Sequence, residues 1–192
     1  GFGRTGKWFA SQTMDLQPDM MTMAKGLTSG YVPMSAVMVG DRVASRLVSD
    51  GGEFYHGFTY SGHPVAAAVA LANLELIERE DMITRVREDT GPYLAEALAP
   101  LAEHRIVGEI RTFGVLAAIE LVKSKDGPEI FEDTGATGVI CRDHAINRGL
   151  MMRAVRDAMI LSPALTYSRA DIDETVRIAA QALDATADQL GL

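Results

Sequence analysis

The stretch MMTMAKGLTSGYVPMSAVMV, Met20 to Val39, constrains this chain more than any other. Two apolar runs of strand length, Asp19 to Ala24 and Met34 to Val39, flank a glycine-containing turn, and a lysine stands where the first run meets the turn. Short apolar runs bounded by Gly and Pro read as buried strands. An ammonium at the end of such a run loses hydration, so it needs either a partner or a chemical task. Two readings of Lys25 follow. In one, its amine attacks a carbonyl to form a Schiff base, and the neighbouring glycines let a planar molecule approach the backbone. In the other, it snorkels to solvent from a strand end.

The rest of the chain predicts an α/β organisation. Asp41 to Ser49 reads as a short helix stopped by Gly51-Gly52. His63-Pro64 opens PVAAAVALANLELIERE, alanine-rich and apolar on almost every side at its start, hence expected to be a buried helix. A second helix is expected over Met82 to Ala102, with Val86, Tyr93, Leu94 and Leu98 as its apolar stripe. Strands are predicted at Val107 to Glu109 and Val115 to Val122, and a surface loop at Lys123 to Thr134. A helix over Thr137 to Asn147 is closed by Gly149. A hairpin pairs Met151 to Arg153 with Ala158 to Leu161, and a last helix starts at Ser168 with Asp171 at its third position. The organisation divides near Asp81, into segments 1–81 and 82–192.

Charge excludes some partners. Eighteen Lys and Arg against twenty-six Asp and Glu leave a net charge of -8, with no concentrated basic face, so no nucleic-acid partner is expected. The single Cys141 rules out an internal disulfide framework and suits a reducing compartment. No apolar run is long enough for a bilayer, so no membrane association and a cytoplasmic location are expected. His56, His63, His104 and His144 lack metal-ligand spacing, and no metal is expected. GFGRTG, Gly1 to Gly6, matches GxGxxG literally, but it lacks the strand before and the helix after that a dinucleotide loop requires.

Four ordered segments resemble those of one family. AKGLTSGYVPMSAVMV closely resembles the lysine segment of class III (ω-amino acid:pyruvate type) aminotransferases, which use pyridoxal 5'-phosphate. GFGRTGKWF resembles the segment after that family's cofactor-binding aspartate, HGFTYSGHPVAAAVALANL its phosphate-reaching loop and helix, and GLMMRAVRDAMILSPAL its substrate-recognition strand. The resemblance implies fold type I: part of a large α/β domain around a mostly parallel sheet in 1–81, then a linking helix and a small C-terminal α+β domain in 82–192.

It further implies that Lys25 forms the Schiff base with the cofactor, and that Thr59 gives its hydroxyl to the phosphate with the Phe58 backbone amide. In this family that contact crosses to the other subunit, which implies a homodimer with shared sites. Arg153 would bind a substrate carboxylate, as a guanidinium fork suits. The bland alternatives are a turn role for Thr59 and a surface pair with Asp157 for Arg153. The implied reaction is transamination between an amine or ω-amino acid donor and a keto acid acceptor such as pyruvate. β-Alanine, taurine, aromatic amines and diamines all stand open as donors. Alternatives are an aminomutase, a dialkylglycine decarboxylase, a Schiff-base aldolase without cofactor, or an inactive fragment. The family's pyridine-nitrogen aspartate, phosphate loop and stacking aromatic would all lie ahead of Gly1, so a longer protein is expected.

Overall fold

The two apolar runs around Lys25 do form strands. In the computed structural model, which describes residues 1–127 and 129–192, β1 (Met20–Met23) pairs antiparallel with β2 (Ala36–Val39), Met20 opposite Val39. Residue 128 of the predicted Lys123–Thr134 loop lies outside the described residues. Both strands are largely exposed rather than buried, because the described residues place nothing over most of their surface. Among the described residues of the first unit these two strands form an antiparallel pair.

The chain forms two units, Gly1–Ile83 and Thr84–Leu192. In the first, α1 (Ala10–Thr13) is a single turn, and α2 (Asp41–Asp50) follows β2 directly. The start of β1 is braced to α2: Gly40 N–H donates to the Asp19 carbonyl at 2.8 Å, and Arg42 Nε donates to the Asp19 carboxylate at 2.8 Å. That guanidinium holds the exposed Asp19 carboxyl below the usual carboxylate range. Helix α3 (Pro64–Arg79) starts where predicted, with Pro64 in its first turn and His63 Nδ1 accepting from Ala66 N–H. Only Ala66, Ala70 and Ile77 of α3 are buried, while Val65 and Leu71 are exposed. The all-round apolar helix therefore covers one face only with the described residues. GFGRTG folds as turns that bury Phe2 edge-on to Phe9, ring centroids 5.4 Å apart.

The second unit closes a core of its own. The single helix expected over Met82 to Ala102 is broken into α4 (Met82–Arg85), a π turn (Val86–Thr90), α5 (Gly91–Leu98) and a 3-10 turn (Ala99–Glu103). Prolines explain the breaks: Pro92 and Pro100 cannot donate, and their rings crowd the preceding turn. The π turn routes the Gly91 N–H to the Val86 carbonyl, and a Cβ at Gly91 would stand 2.4 Å from that oxygen, so only glycine fits. A four-stranded antiparallel sheet follows in the order β3-β4-β6-β5, with β3 at Val107–Phe113, β4 at Leu116–Leu121, β5 at Arg153–Val155 and β6 at Ala158–Leu161. Alternate residues of β4 (Ala117, Ile119, Leu121) are buried, as one covered sheet face requires. Helices α6 (Ala136–Ile146) and α7 (Arg169–Leu190) complete the core. Along α7, Ile172, Thr175, Ile178, Ala179, Ala182, Leu183, Thr186 and Ala187 form the buried stripe of a 3.6-residue period. Its start carries the predicted capping box: Asp171 N–H donates to Ser168 Oγ at 3.2 Å, and Ser168 N–H to the Asp171 carboxylate at 2.8 Å.

Candidate active site

Lys25 begins a one-turn 3-10 helix, Lys25–Leu27, immediately after β1. Its backbone is left-handed, φ 53°, a conformation that a non-glycine residue keeps only where its surroundings impose it. The turn is pinned from beneath. Leu27 and Thr28 are buried, and Thr28 Oγ1 donates to the Val32 carbonyl at 2.6 Å. Asn73 Nδ2, from α3, donates to the carbonyls of Gly26 at 2.8 Å and Leu27 at 3.2 Å. The Lys25 side chain itself is exposed, not buried as the apolar run suggests. Its left-handed backbone turns it out of the strand.

Lys25 lines a cleft of about 950 Å³ together with Ala24, Thr28, Ser35, Phe58, Ser61 and His63. The residues brought together are an amine, hydroxyls, an aromatic ring and the N-terminus of a 16-residue helix. Helix N-termini favour anions, because unpaired N–H groups and the helix dipole point the same way. Such a cleft fits a phosphorylated aromatic aldehyde: an amine for the carbonyl, a ring neighbour, and a helix start with hydroxyls for the phosphate.

Other sequence-predicted residues fall as follows. The Phe58 amide donates to Ser61 Oγ at 2.9 Å and so closes its own loop. Thr59 does not line the cleft, and its hydroxyl makes no hydrogen bond among the described residues. Arg153, at the start of edge strand β5 in the second unit, pairs by backbone with Ile160 and has no side-chain ion pair among the described residues. The alternative partner, Asp157, is engaged elsewhere: its carboxylate accepts from Gly135 N–H at 2.8 Å and Gly138 N–H at 2.9 Å, at the start of α6. A Cβ at Gly138 would stand 2.0 Å from the Arg156 carbonyl, so this hairpin-to-helix seat requires glycine. Burial pushes the Cys141 thiol up, with a hydrogen bond from Thr186 opposing the shift. Among the described residues no cluster of His, Cys, Asp or Glu is placed to hold a metal, and no helix is long and apolar enough to cross a membrane.

Sequence reading missed Asn73. Its signal was available as the one amide inside PVAAAVALANL, but its target carbonyls lie 46 and 47 residues away, which no local pattern reveals.

The lysine turn, the cleft it lines and the start of α3 lie together in the first unit. The chain belongs to the class-III aminotransferase family, whose model matches residues 1–183. It is 52% identical over 187 residues to the putrescine–pyruvate aminotransferase of Pseudomonas aeruginosa, covering 97% of this chain and 41% of that protein. It is 40% identical to the diaminobutyrate–2-oxoglutarate transaminase of Halomonas elongata, covering 99% of this chain and 42% of that protein. Among solved structures it superposes on the omega transaminase from Pseudomonas jessenii in complex with PMP, with a TM-score of 0.92 and 38% identity over 100% of this chain and 43% of that one. Over this span the chain has the α/β fold of fold-type I transaminases, and family membership implies dependence on pyridoxal 5'-phosphate. The chain spans about two-fifths of the length of the curated relatives it matches.

Proposed function

We propose that this chain carries the cofactor lysine of an aminotransferase that moves an amino group from an amine or ω-amino acid to a keto acid such as pyruvate. The observation that supports it is Lys25, held in a left-handed turn at the mouth of a cleft that also contains the start of α3. Similarity to a putrescine–pyruvate enzyme favours a diamine donor among the open alternatives.

Pyridoxal 5'-phosphate, when bound, supplies the carbonyl that condenses with amines and a ring that accepts electron density. Lys25 Nζ ties the cofactor to the protein and, when free, holds and moves a proton as general base and acid. The Thr59 hydroxyl, which makes no hydrogen bond among the described residues, is available to a phosphate oxygen; on the family pattern it serves the cofactor of a second copy, which makes the working unit a homodimer. The Phe58 amide would have to leave Ser61 Oγ to join it. Arg153 binds the carboxylate of the keto acid by a bidentate guanidinium contact. In this scheme Gly1–Ile83 belongs to the large cofactor domain and Thr84–Leu192 to the small one, in a cytoplasmic enzyme.

Borohydride reduction of the cofactor-loaded protein, followed by peptide mapping, tests the proposal. A phosphopyridoxyl mass on the Lys25 peptide is the expected result. Its absence there, with cofactor supplied in excess, would overturn the reading.

A further inference from the structure

Asn73 interrupts the apolar run of α3 with an amide whose hydrogen bonds, among the described residues, all go to the Lys25 turn. Its Nδ2 reaches two consecutive carbonyls, Gly26 at 2.8 Å and Leu27 at 3.2 Å. Two acceptors fix the amide's orientation, because the opposite rotamer would set its oxygen against both of them. These carbonyls close the one-turn helix that begins at Lys25, and a helix that short has no further turn to satisfy them. From the other side Gly26 seats Phe2: a Cβ there would stand 3.0 Å from Phe2 Cδ2. The turn bearing Lys25 is thus gripped between a buried ring and a rigid helix. Lys25 meanwhile keeps a backbone conformation that it would not adopt alone.

We infer that Asn73 is a positioning residue for Lys25, its amide holding the Lys25–Leu27 turn on α3 so that Nζ meets the cofactor carbonyl in one geometry. The inference rests on the reading of Lys25 as the cofactor lysine. It acts through the two carbonyls alone, since Asn73 does not line the cleft. A side chain that grips backbone in this way sets reaction geometry, and a displacement of about 1 Å can cost about a hundredfold in rate.

The test is made on protein stripped of cofactor and reloaded with pyridoxal 5'-phosphate. The rate of borohydride-fixed labelling is followed at the Lys25 peptide, with exposed Lys7 as an internal comparator. Asn73→Ala removes the donor, and Asn73→Asp keeps its size but turns carboxylate oxygens toward the carbonyls. Both should slow labelling of Lys25 by about tenfold or more while leaving Lys7 unchanged. Deuterium exchange over Lys25–Val32 should rise in both, without change in the second half of α3. Asn73→Gln, which keeps the amide, should recover part of the rate. A merely structural role predicts a lowered melting temperature with Lys25 and Lys7 affected alike, and that result overturns the inference. So does labelling of Lys25 at the unaltered rate in both substituted proteins, which leaves the Lys25 reading intact. If the unaltered protein labels Lys7 but not Lys25, the Lys25 reading itself fails and the inference falls with it.

Discussion

The two units use their apolar residues in opposite ways. From Thr84 onward the chain encloses a continuous core in which Leu98, Ile119, Met159 and Leu183 have essentially no exposure. Before it, few large apolar residues beyond Phe2, Leu27, Ile77 and Met82 are buried, and Tyr31, Tyr55, Phe58 and Tyr60 are each about 80% exposed or more, at 84%, 89%, 78% and 81%. The unit that holds the lysine cleft is therefore the one least closed by its own residues. It places its side chains where a ligand or another surface can meet them, whereas the second unit spends the same kinds of residue on internal packing.

That contrast has a direct stability test. Leu183→Ala, in the middle of the buried stripe of α7, should cost about 2–5 kcal/mol in urea unfolding, from lost transfer energy and the cavity left behind. Val37→Ala, on exposed strand β2, should stay within about 0.5 kcal/mol. Equal losses at the two positions would mean that the strand surface is covered in the folded protein, and the contrast would not stand.

Arg153 sharpens the comparison from the functional side, because it is a functional candidate placed in the well-packed unit. It sits on an edge strand whose hairpin is tied to α6 through Asp157, while its guanidinium makes no ion pair among the described residues. Arg153→Leu should raise KM for the keto acid about 10–100-fold, the loss of a charge-assisted contact of about 1.5–3 kcal/mol, and leave KM for an uncarboxylated amine nearly unchanged. A steady-state comparison of the two substrates reads this directly. An equal rise for both would remove Arg153 from carboxylate recognition and return it to the surface.

Legibility in the sequence followed the range of the interactions. The hairpin of β5 and β6, the Pro64 start of α3 and the Ser168 cap of α7 were readable, since residues a few positions apart determine each. The break at Pro92 was present in the sequence but overridden by the apolar stripe, although a proline in mid-helix removes a donor whatever the stripe says. What could not be read was the grip of Asn73 on the Gly26 and Leu27 carbonyls, or the engagement of Asp157 by Gly135 and Gly138. Each joins segments about 20 to 50 residues apart in contacts that only the folded chain creates, so local patterning has no purchase on them. Resemblance to a family carried the candidate residues, while geometry alone exposed the side chain that grips the lysine turn.

The smallest effect tests whether the second unit's stability is as local as its core suggests. Ser168 caps α7 by accepting from Asp171 N–H, and its own N–H and hydroxyl donate to the Asp171 carboxylate, which holds that carboxyl below its usual range. Ser168→Ala should cost about 1 kcal/mol near neutral pH. A carboxyl depressed on folding contributes stability above its unfolded-state pKa and loses it as the pH falls through its folded-state value. The gap between the unaltered and Ser168→Ala proteins should accordingly narrow on acidification below the ordinary carboxylate range, as Asp171 protonates and loses the Ser168 hydroxyl's bond to its carboxylate, the backbone bond being common to both proteins. Urea titrations of both proteins across that range give the comparison. A gap independent of pH would assign the cap's contribution to the serine hydroxyl alone, with the aspartate an exposed bystander.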